Sequence, residues 1–522
     1  MKDLSNSTID AVRASLSAGE TTVVKLTQAF LDRIEALDRG GPALNSVRVT
    51  NPDALAIAAK LDGGRRKAAR PLEGVPILLK DNIATGDKQP TTAGSLALAD
   101  AKARRDATVT KLLREAGAVI LGKANLTEFA NLLAVGMPSG YSSLGGQVRN
   151  AWAPDLFKDG IPVVQPGGSS AGSGVAVAAG LAVATIGTET SGSLLSPANQ
   201  SGVVTVKPTV GLISRAGILP ISHSQDTAGP MTRTVRDAAI LLNVLAQVDP
   251  LDAATAKQKR PADYTDGLSK DGAKGMRIGV PVAPDDPGQD VYYGPLSKRA
   301  RRVMDQAIEA LADLGAVIVR APMPVRGWLP APGSDMGVLN TNPESPGRHS
   351  VQRVSTVFIY EIKHDLDEYL TEWLRGTKMR SMADIVAFND AHPDTCLRFG
   401  QDLFRAAVAT KGDLSEAEYK SARRIDLLTA GRSGMDAYMD EHRLDAVLFP
   451  GMAGASIAAK PGYPSVQVPA GFTSGVGKMA TPDFPQGATF SGRAWSEAKL
   501  LRIAYAFEQA TLARRVPPGC DG

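Results

Sequence analysis

Two short Gly/Ser turns flank a single helix-strand unit in the segment from Gln165 to Ser193. Pro166-Gly167-Gly168-Ser169-Ser170-Ala171-Gly172-Ser173 opens an Ala/Val helix, and Thr188-Glu189-Thr190-Ser191-Gly192-Ser193 closes the strand that follows. Glycines let a backbone approach a ligand closely and turn its N–H groups inward, and serine hydroxyls supply nucleophiles or proton relays. The two turns could therefore build an acyl-transfer site with an oxyanion hole. The same residues would also serve simply to cap a helix and end a strand. A third residue bears on that choice: the apolar run Val75-Pro76-Ile77-Leu78-Leu79 ends in Lys80, with Asp81 and Asn82 directly after it. A lysine there either snorkels to water or is desolvated. Desolvation disfavours the ammonium form and leaves an amine able to act as a general base.

Taken together, these segments resemble the amidase signature family. The resemblance is carried by Leu79-Lys80-Asp81-Asn82, by Gly167 to Ser170, and by Gly187 to Ser193. It continues through Val206-Lys207-Pro208-Thr209, Asp226-Thr227-Ala228-Gly229-Pro230-Met231 and Gly462-Tyr463-Pro464-Ser465-Val466. It implies a Ser-Ser-Lys catalytic triad with Ser193 as nucleophile, Ser169 as bridging serine and Lys80 as base. It also implies an oxyanion hole from the backbone N–H groups of Thr190, Ser191, Gly192 and Ser193, a cis peptide between Gly168 and Ser169, and no cofactor or metal. One departure stands out: where many members carry an arginine two residues after the nucleophile, this chain has Leu195. The Gly-Thr-Glu-Thr variant of the turn, with Ile221-Ser222-His223-Ser224-Gln225-Asp226 and Gly492-Arg493-Ala494-Trp495-Ser496-Glu497, is most similar to the peptide amidase branch, which deamidates C-terminal peptide amides. The substrate implied is thus a peptide or small-molecule amide.

Rival readings use some of the same residues. Gly168-Ser169-Ser170-Ala171-Gly172 also fits a nucleophile elbow, which would make Ser170 the nucleophile of an α/β-hydrolase esterase, with His442 near Asp436, Asp440 and Asp445. No His-Gly-Gly segment precedes that elbow. Ser496-Glu497-Ala498-Lys499 matches a β-lactam-binding pattern without its companion motifs, and Gly172-Ser173-Gly174 lacks the acidic residue of a dinucleotide fold. The remaining alternatives are a catalytically dead binding protein and a glutamine-hydrolysing amidotransferase subunit.

The elements that must hold these residues are legible in outline. Val23, Leu26, Phe30, Ile34 and Leu37 form a helical stripe behind Thr21 or Thr22 as N-cap. Strand-length apolar runs then alternate with helical segments: Val75 to Leu79, Ala118 to Leu121, Val183 to Gly187, Val203 to Val206, Met276 to Val282, Ala316 to Val319, Leu444 to Leu448 and Val466 to Val468. The expected class is α/β, a large mixed, mostly parallel sheet covered on both faces by helices, in keeping with the amidase signature fold. Residues 1-70 are expected as an N-terminal helical segment packed on the core and residues 71-522 as the α/β domain, with the signature core at 71-250. The Pro/Gly/Ser/Asn-rich stretch from about 329 to 351 is expected as an insertion loop at the mouth of the site, with Trp328, Leu329 and Met336 offering apolar contacts.

Composition narrows the classes. The chain has 522 residues, 43% hydrophobic and 21% charged, with a formal charge of +4, which fits neither a disordered nor a fibrous protein. Its basic clusters, Gly64-Arg65-Arg66-Lys67 and Lys298 to Arg302, are short and isolated, so no nucleic acid partner is expected. Cys396 and Cys520 cannot form a disulfide framework, and His223, His349, His364, His392 and His442 show no metal-binding spacing. The weakly polar run from Gly174 to Gly187 is too short to span a bilayer, and the first residues lack a secretory pattern. A cytoplasmic monomer or homodimer without a membrane anchor is the expectation.

Overall fold

A computed structural model describes residues 3–64, 70–283, 290–323, 333–345, 347–473 and 483–521. Thr8 and Thr22 cap the first helices, α1 (Ile9–Ser17) and α2 (Val23–Ile34); each hydroxyl accepts from a first-turn N–H, at 3.2 and 3.1 Å. The stripe Val23, Leu26, Phe30 and Ile34 is buried against the core, as its spacing predicts.

The strands are β1 (Val47–Thr50), β2 (Pro76–Lys80), β3 (Val119–Ala124), β4 (Ala184–Glu189), β5 (Val204–Lys207), β6 (Thr227–Thr232), β7 (Arg277–Val280) and β8 (Val317–Arg320). After them come the hairpin strands β9 (Asp335–Leu339) and β10 (Val351–Ser355), then β11 (Ala446–Pro450), β12 (Ser465–Phe472) and β13 (Pro485–Ser491). All but the hairpin form one 11-stranded sheet in the order β1-β3-β2-β4-β6-β5-β12-β13-β11-β7-β8. Every residue of β2, β3, β4, β6 and β11 is buried. Successive strand residues face opposite sides, so both faces of the sheet are covered. Covering helices include α3 (Ala171–Ala178), α4 (Leu195–Ser201), α5 (Val235–Leu245), α6 (Lys298–Asp313), α7 (Thr356–Glu372) and α8 (Glu497–Thr511). Among the described residues no helix is long and apolar enough to cross a membrane.

The sheet is mixed, as expected, but its parallel share is smaller than the alternation of strands and helices suggests. Four neighbour pairs are parallel (β3/β2, β2/β4, β7/β8 and β7/β11) and six are antiparallel. The antiparallel centre is built largely by β6 and β13, whose Gly229, Pro230, Pro485 and Gly487 hide them from a search for continuous apolar runs. Gly229 is required there, because a Cβ would collide with the Val206 carbonyl on the neighbouring strand.

Two expectations about segments need correction. The N-terminal stretch is not helical throughout, since its β1 pairs antiparallel with β3 at the sheet edge. The insertion is not a structureless loop where it is described: β9 and β10 pair antiparallel, with Met336 opposite Val354. Trp328 and Leu329 lie outside the described residues.

Asp81, just past β2, is fully buried and is held by both the Arg48 guanidinium and the Thr92 hydroxyl, with the Arg48 Nη2–Oδ1 contact at 3.2 Å. Replacing Arg48 by alanine leaves that carboxylate buried without its counter-charge. The expected loss is about 3–5 kcal/mol in urea unfolding. A loss below about 1 kcal/mol would show that Asp81 is solvated by other means.

Candidate active site

Because β2 and β4 are adjacent and parallel, with Leu79 opposite Ile186, they end on the same edge of the sheet. That register brings Lys80 beside Thr188. Crevices outside the carboxyl ends of strands are where open α/β sheets bind ligands. Lys80 has no exposed surface. Its Nζ donates to Ser169 Oγ at 2.7 Å, to Thr188 Oγ1 at 2.9 Å and to the Thr188 carbonyl at 3.4 Å. Asn82 Nδ2 donates to the same Thr188 hydroxyl at 3.0 Å. Burial pushes the Lys80 amine down to about 7, against the opposing pull of Asp226 and Glu189. The lysine is therefore desolvated, not snorkelling.

The two Gly/Ser turns are stitched to each other. Ser170 N donates to the Ser193 carbonyl at 3.2 Å, and the Ser169 carbonyl accepts from Thr127 N at 3.1 Å. The peptide between Gly168 and Ser169 is cis. Ser170, the nucleophile of the esterase alternative, is fully buried: its hydroxyl donates to the Thr188 carbonyl at 2.9 Å and accepts from Thr188 N at 3.2 Å. Its role is to fasten the start of α3 to the end of β4. His442 lies at the end of a short helix, with its ring packed edge-on against Tyr438.

Ser193 retains 5% of its surface, in contrast to the sealed Ser169. Among the described residues no protein acceptor takes the backbone N–H groups of Thr190, Ser191, Gly192 or Ser193. Gly192 supplies the left-handed conformation of this turn, at φ +85°. The Glu189 carboxylate holds the turn's far side, accepting from Leu194 N at 2.7 Å and Leu195 N at 3.1 Å at the start of α4. That bracing involves no arginine at position 195. Asp226 braces the near side: it accepts from Thr190 Oγ1 at 2.5 Å and from the N–H groups of Ile221 and Ser222 at 2.8 and 2.9 Å. Burial raises its carboxyl to about 6.

A cavity opens beside this turn, with Thr188, Thr190, Asp226, Ile218, Tyr369 and Trp373 in its wall. It reaches the Lys80 network through Thr188 and Asn82. The supporting roles of Asn82, Thr188, Glu189 and Asp226 were missed in the sequence, although each lies inside a recognised motif. Their types alone did not say which neighbour each would meet. The histidines, scattered in sequence, also gain a relation: His223 and His364 converge on Asp365, and of the three His223 and Asp365 line the same cavity.

Comparison with known proteins identifies the family. The family model Amidase matches residues 25–501. The peptide amidase of Stenotrophomonas maltophilia is 41% identical, superimposes with a TM-score of 0.85, and is matched over 98% of each chain. An amidase family protein of Bacillus anthracis is 33% identical at a TM-score of 0.85, over 98% of this chain and 92% of that one. One subunit of the glutamyl-tRNA(Gln) amidotransferase of Chloroflexus aurantiacus is 34% identical over 98% of both chains. A buried lysine at the end of a parallel strand, two Gly/Ser turns locked together and a match along nearly the whole length lead to one conclusion: the chain belongs to the amidase family and is a hydrolase of amide C–N bonds.

Proposed function

We propose that the enzyme hydrolyses carboxamides through a Ser193-Ser169-Lys80 relay and an acyl-enzyme, with peptide amides as its substrate class. The observation that carries this reading is the 2.7 Å hydrogen bond between a fully desolvated Lys80 amine and Ser169 Oγ. With the amine at about 7, a large fraction is neutral near neutral pH and can accept a proton. Lys80 takes the proton of Ser169 while Ser169 takes that of Ser193, and Ser193 Oγ forms a bond to the amide carbon. The oxyanion so formed points at the free N–H groups of residues 190–193. As the tetrahedral intermediate collapses, the C–N bond breaks and the relay returns the proton to the departing nitrogen. Water then attacks the acyl carbon with the same relay as base, releasing the acid and Ser193.

The peptide amidase relative favours a peptide amide, and Tyr369 and Trp373 in the wall of the cavity provide a surface for an apolar substrate group. The amidotransferase relative supports a second reading in which glutamine is the ammonia source. The enzyme is proposed to work in the cytoplasm as a monomer or homodimer. A panel of peptide amides, aryl anilides, short aliphatic amides and glutamine, scored by ammonia or amine release without ATP or tRNA, separates the two. Peptide amides should head the ranking, and glutamine as the preferred substrate would overturn it.

Ser193→Ala should abolish turnover with an unchanged melting temperature, whereas Ser170→Ala should still acylate. A fluorophosphonate probe mapped by mass spectrometry should label Ser193, and label on Ser170 would refute the relay. Protonation removes the base, so kcat/KM should fall about tenfold per pH unit below about 7 and level off above it. Lys80→Ala should cost at least about a hundredfold, and Lys80→Arg should not restore it, because a guanidinium stays protonated. Chelators should not lower turnover, since each step runs through these side chains and the backbone.

A further inference from the structure

His223 lies in the loop between β5 and β6, and His364 and Asp365 are successive residues of α7. His223 Nδ1 stands 2.9 Å from each carboxylate oxygen of Asp365, and His364 Nδ1 stands 2.8 Å from Oδ1. One ligand atom from each of the three residues lies within 4.8 Å of the others. We infer that this cluster is a binding site for a divalent transition cation of the Zn²⁺ class, and that an ion there restrains the enzyme.

The donor set supports the ion class, because two imidazole nitrogens and a carboxylate oxygen suit zinc and its neighbours better than magnesium or calcium. Bonds of ~2.0–2.1 Å in a tetrahedral site set ligand atoms about 3.3 Å apart. The two nitrogen–oxygen contacts therefore need to open by only roughly half an ångström, which small side-chain rotations supply. A second, independent feature is the group beside His223. Glu361 Oε1 lies 3.6 Å from His223 Nε2, an ion-pair distance beyond hydrogen-bond reach. A carboxylate this near the second ring nitrogen adds negative charge to the place a cation would enter. Glu361 is itself fixed, accepting from Tyr419 OH at 2.7 Å, from Ser224 N at 3.2 Å and from the Ser222 hydroxyl. The Asp365 carboxylate is also set in advance, since the His223 backbone N–H donates to Oδ2 at 2.9 Å. Access remains open: the two histidine side chains are 45% and 40% exposed, against 10% for Asp365, which leaves an outward side for the ion to approach and for a water ligand.

The ion would tie the loop carrying His223 to α7. Asp226, which braces Thr190, belongs to that loop, and His223 and Asp365 both line the cavity beside the turn. A bound cation thus stiffens one wall of the cavity and narrows its rim, so the expected effect is reversible inhibition. This consequence rests on the proposed hydrolysis; the binding itself does not, and is measured without substrate.

The test uses the full chain after chelator treatment. Titration with Co²⁺ should give one equivalent bound, with the strong visible bands of tetrahedral cobalt, and Zn²⁺ should displace it. His364→Ala and Asp365→Asn, each checked for an unchanged melting temperature, should weaken binding by at least about tenfold. On the best amide of the panel, Zn²⁺ should lower wild-type kcat/KM by at least about fivefold and EDTA should restore it, while His364→Ala keeps its basal rate and its insensitivity to Zn²⁺. Absence of stoichiometric binding below millimolar Co²⁺, or equal affinity in wild type and both variants, would overturn the site. Binding that leaves wild-type turnover unchanged would overturn the restraint.

Discussion

Lys80 is a primary amine sealed under the carboxyl edge of a sheet, and the surrounding structure is arranged to keep it dry. An ammonium without water needs acceptors, and Lys80 finds two hydroxyls and one distant carbonyl, a poorer set than a full charge requires. The other fully buried lysines among the described residues differ in the kind of partner they meet. Lys123 donates to the Ile83 carbonyl and Thr91 Oγ1, and Lys207 to the Tyr463 carbonyl. Burial lowers all three amines, Lys80 to about 7 and Lys123 and Lys207 to about 8. The lysine whose closest partners are hydroxyls is the one best placed to exchange a proton with a hydroxyl.

That requirement explains the polar scaffolding at this edge. Asp81 follows Lys80 immediately, yet it turns away to Arg48 and Thr92, so its charge is neutralised on another face. Glu189 and Asp226 are buried nearby; Glu189 Oε2 accepts from two backbone N–H groups, and Asp226 accepts from two more and from the Thr190 hydroxyl. Each carboxylate fixes one end of the turn from 190 to 194 while its field partly offsets the desolvation of Lys80. In the proposed reaction, donors preorganised at that turn would cost no rearrangement when charge develops on a substrate oxygen.

Covering both faces of the sheet gives this edge its rigidity. α3 begins directly at the Ser169-Ser170 turn and has every residue buried, and Gly172 admits the Ser46 and Asn125 backbones where a Cβ would clash. Small residues in this helix are thus a packing demand. The same demand accounts for much of the glycine content that also reads as a catalytic signature.

The sequence by itself singled out the candidate positions for chemistry and determined most of the sheet. Lys80, Ser169 and Ser193 sit in local patterns whose residue types are readable one segment at a time, and eight apolar runs became strands, seven of them largely buried and the eighth, β8, partly exposed at the sheet edge. The centre of the sheet was hidden, since Gly229 and Pro230 in β6 satisfy a neighbour's backbone rather than a local propensity. Partnership between distant residues was equally out of reach. Arg48 with Asp81, Thr190 with Asp226, and His223 with Asp365 at a separation of 142 positions depend on which strand ends share an edge and how a loop folds over α7. Tertiary structure alone decided whether Lys80 would be solvated, because desolvation is a property of everything packed around an atom and of no residue's own type.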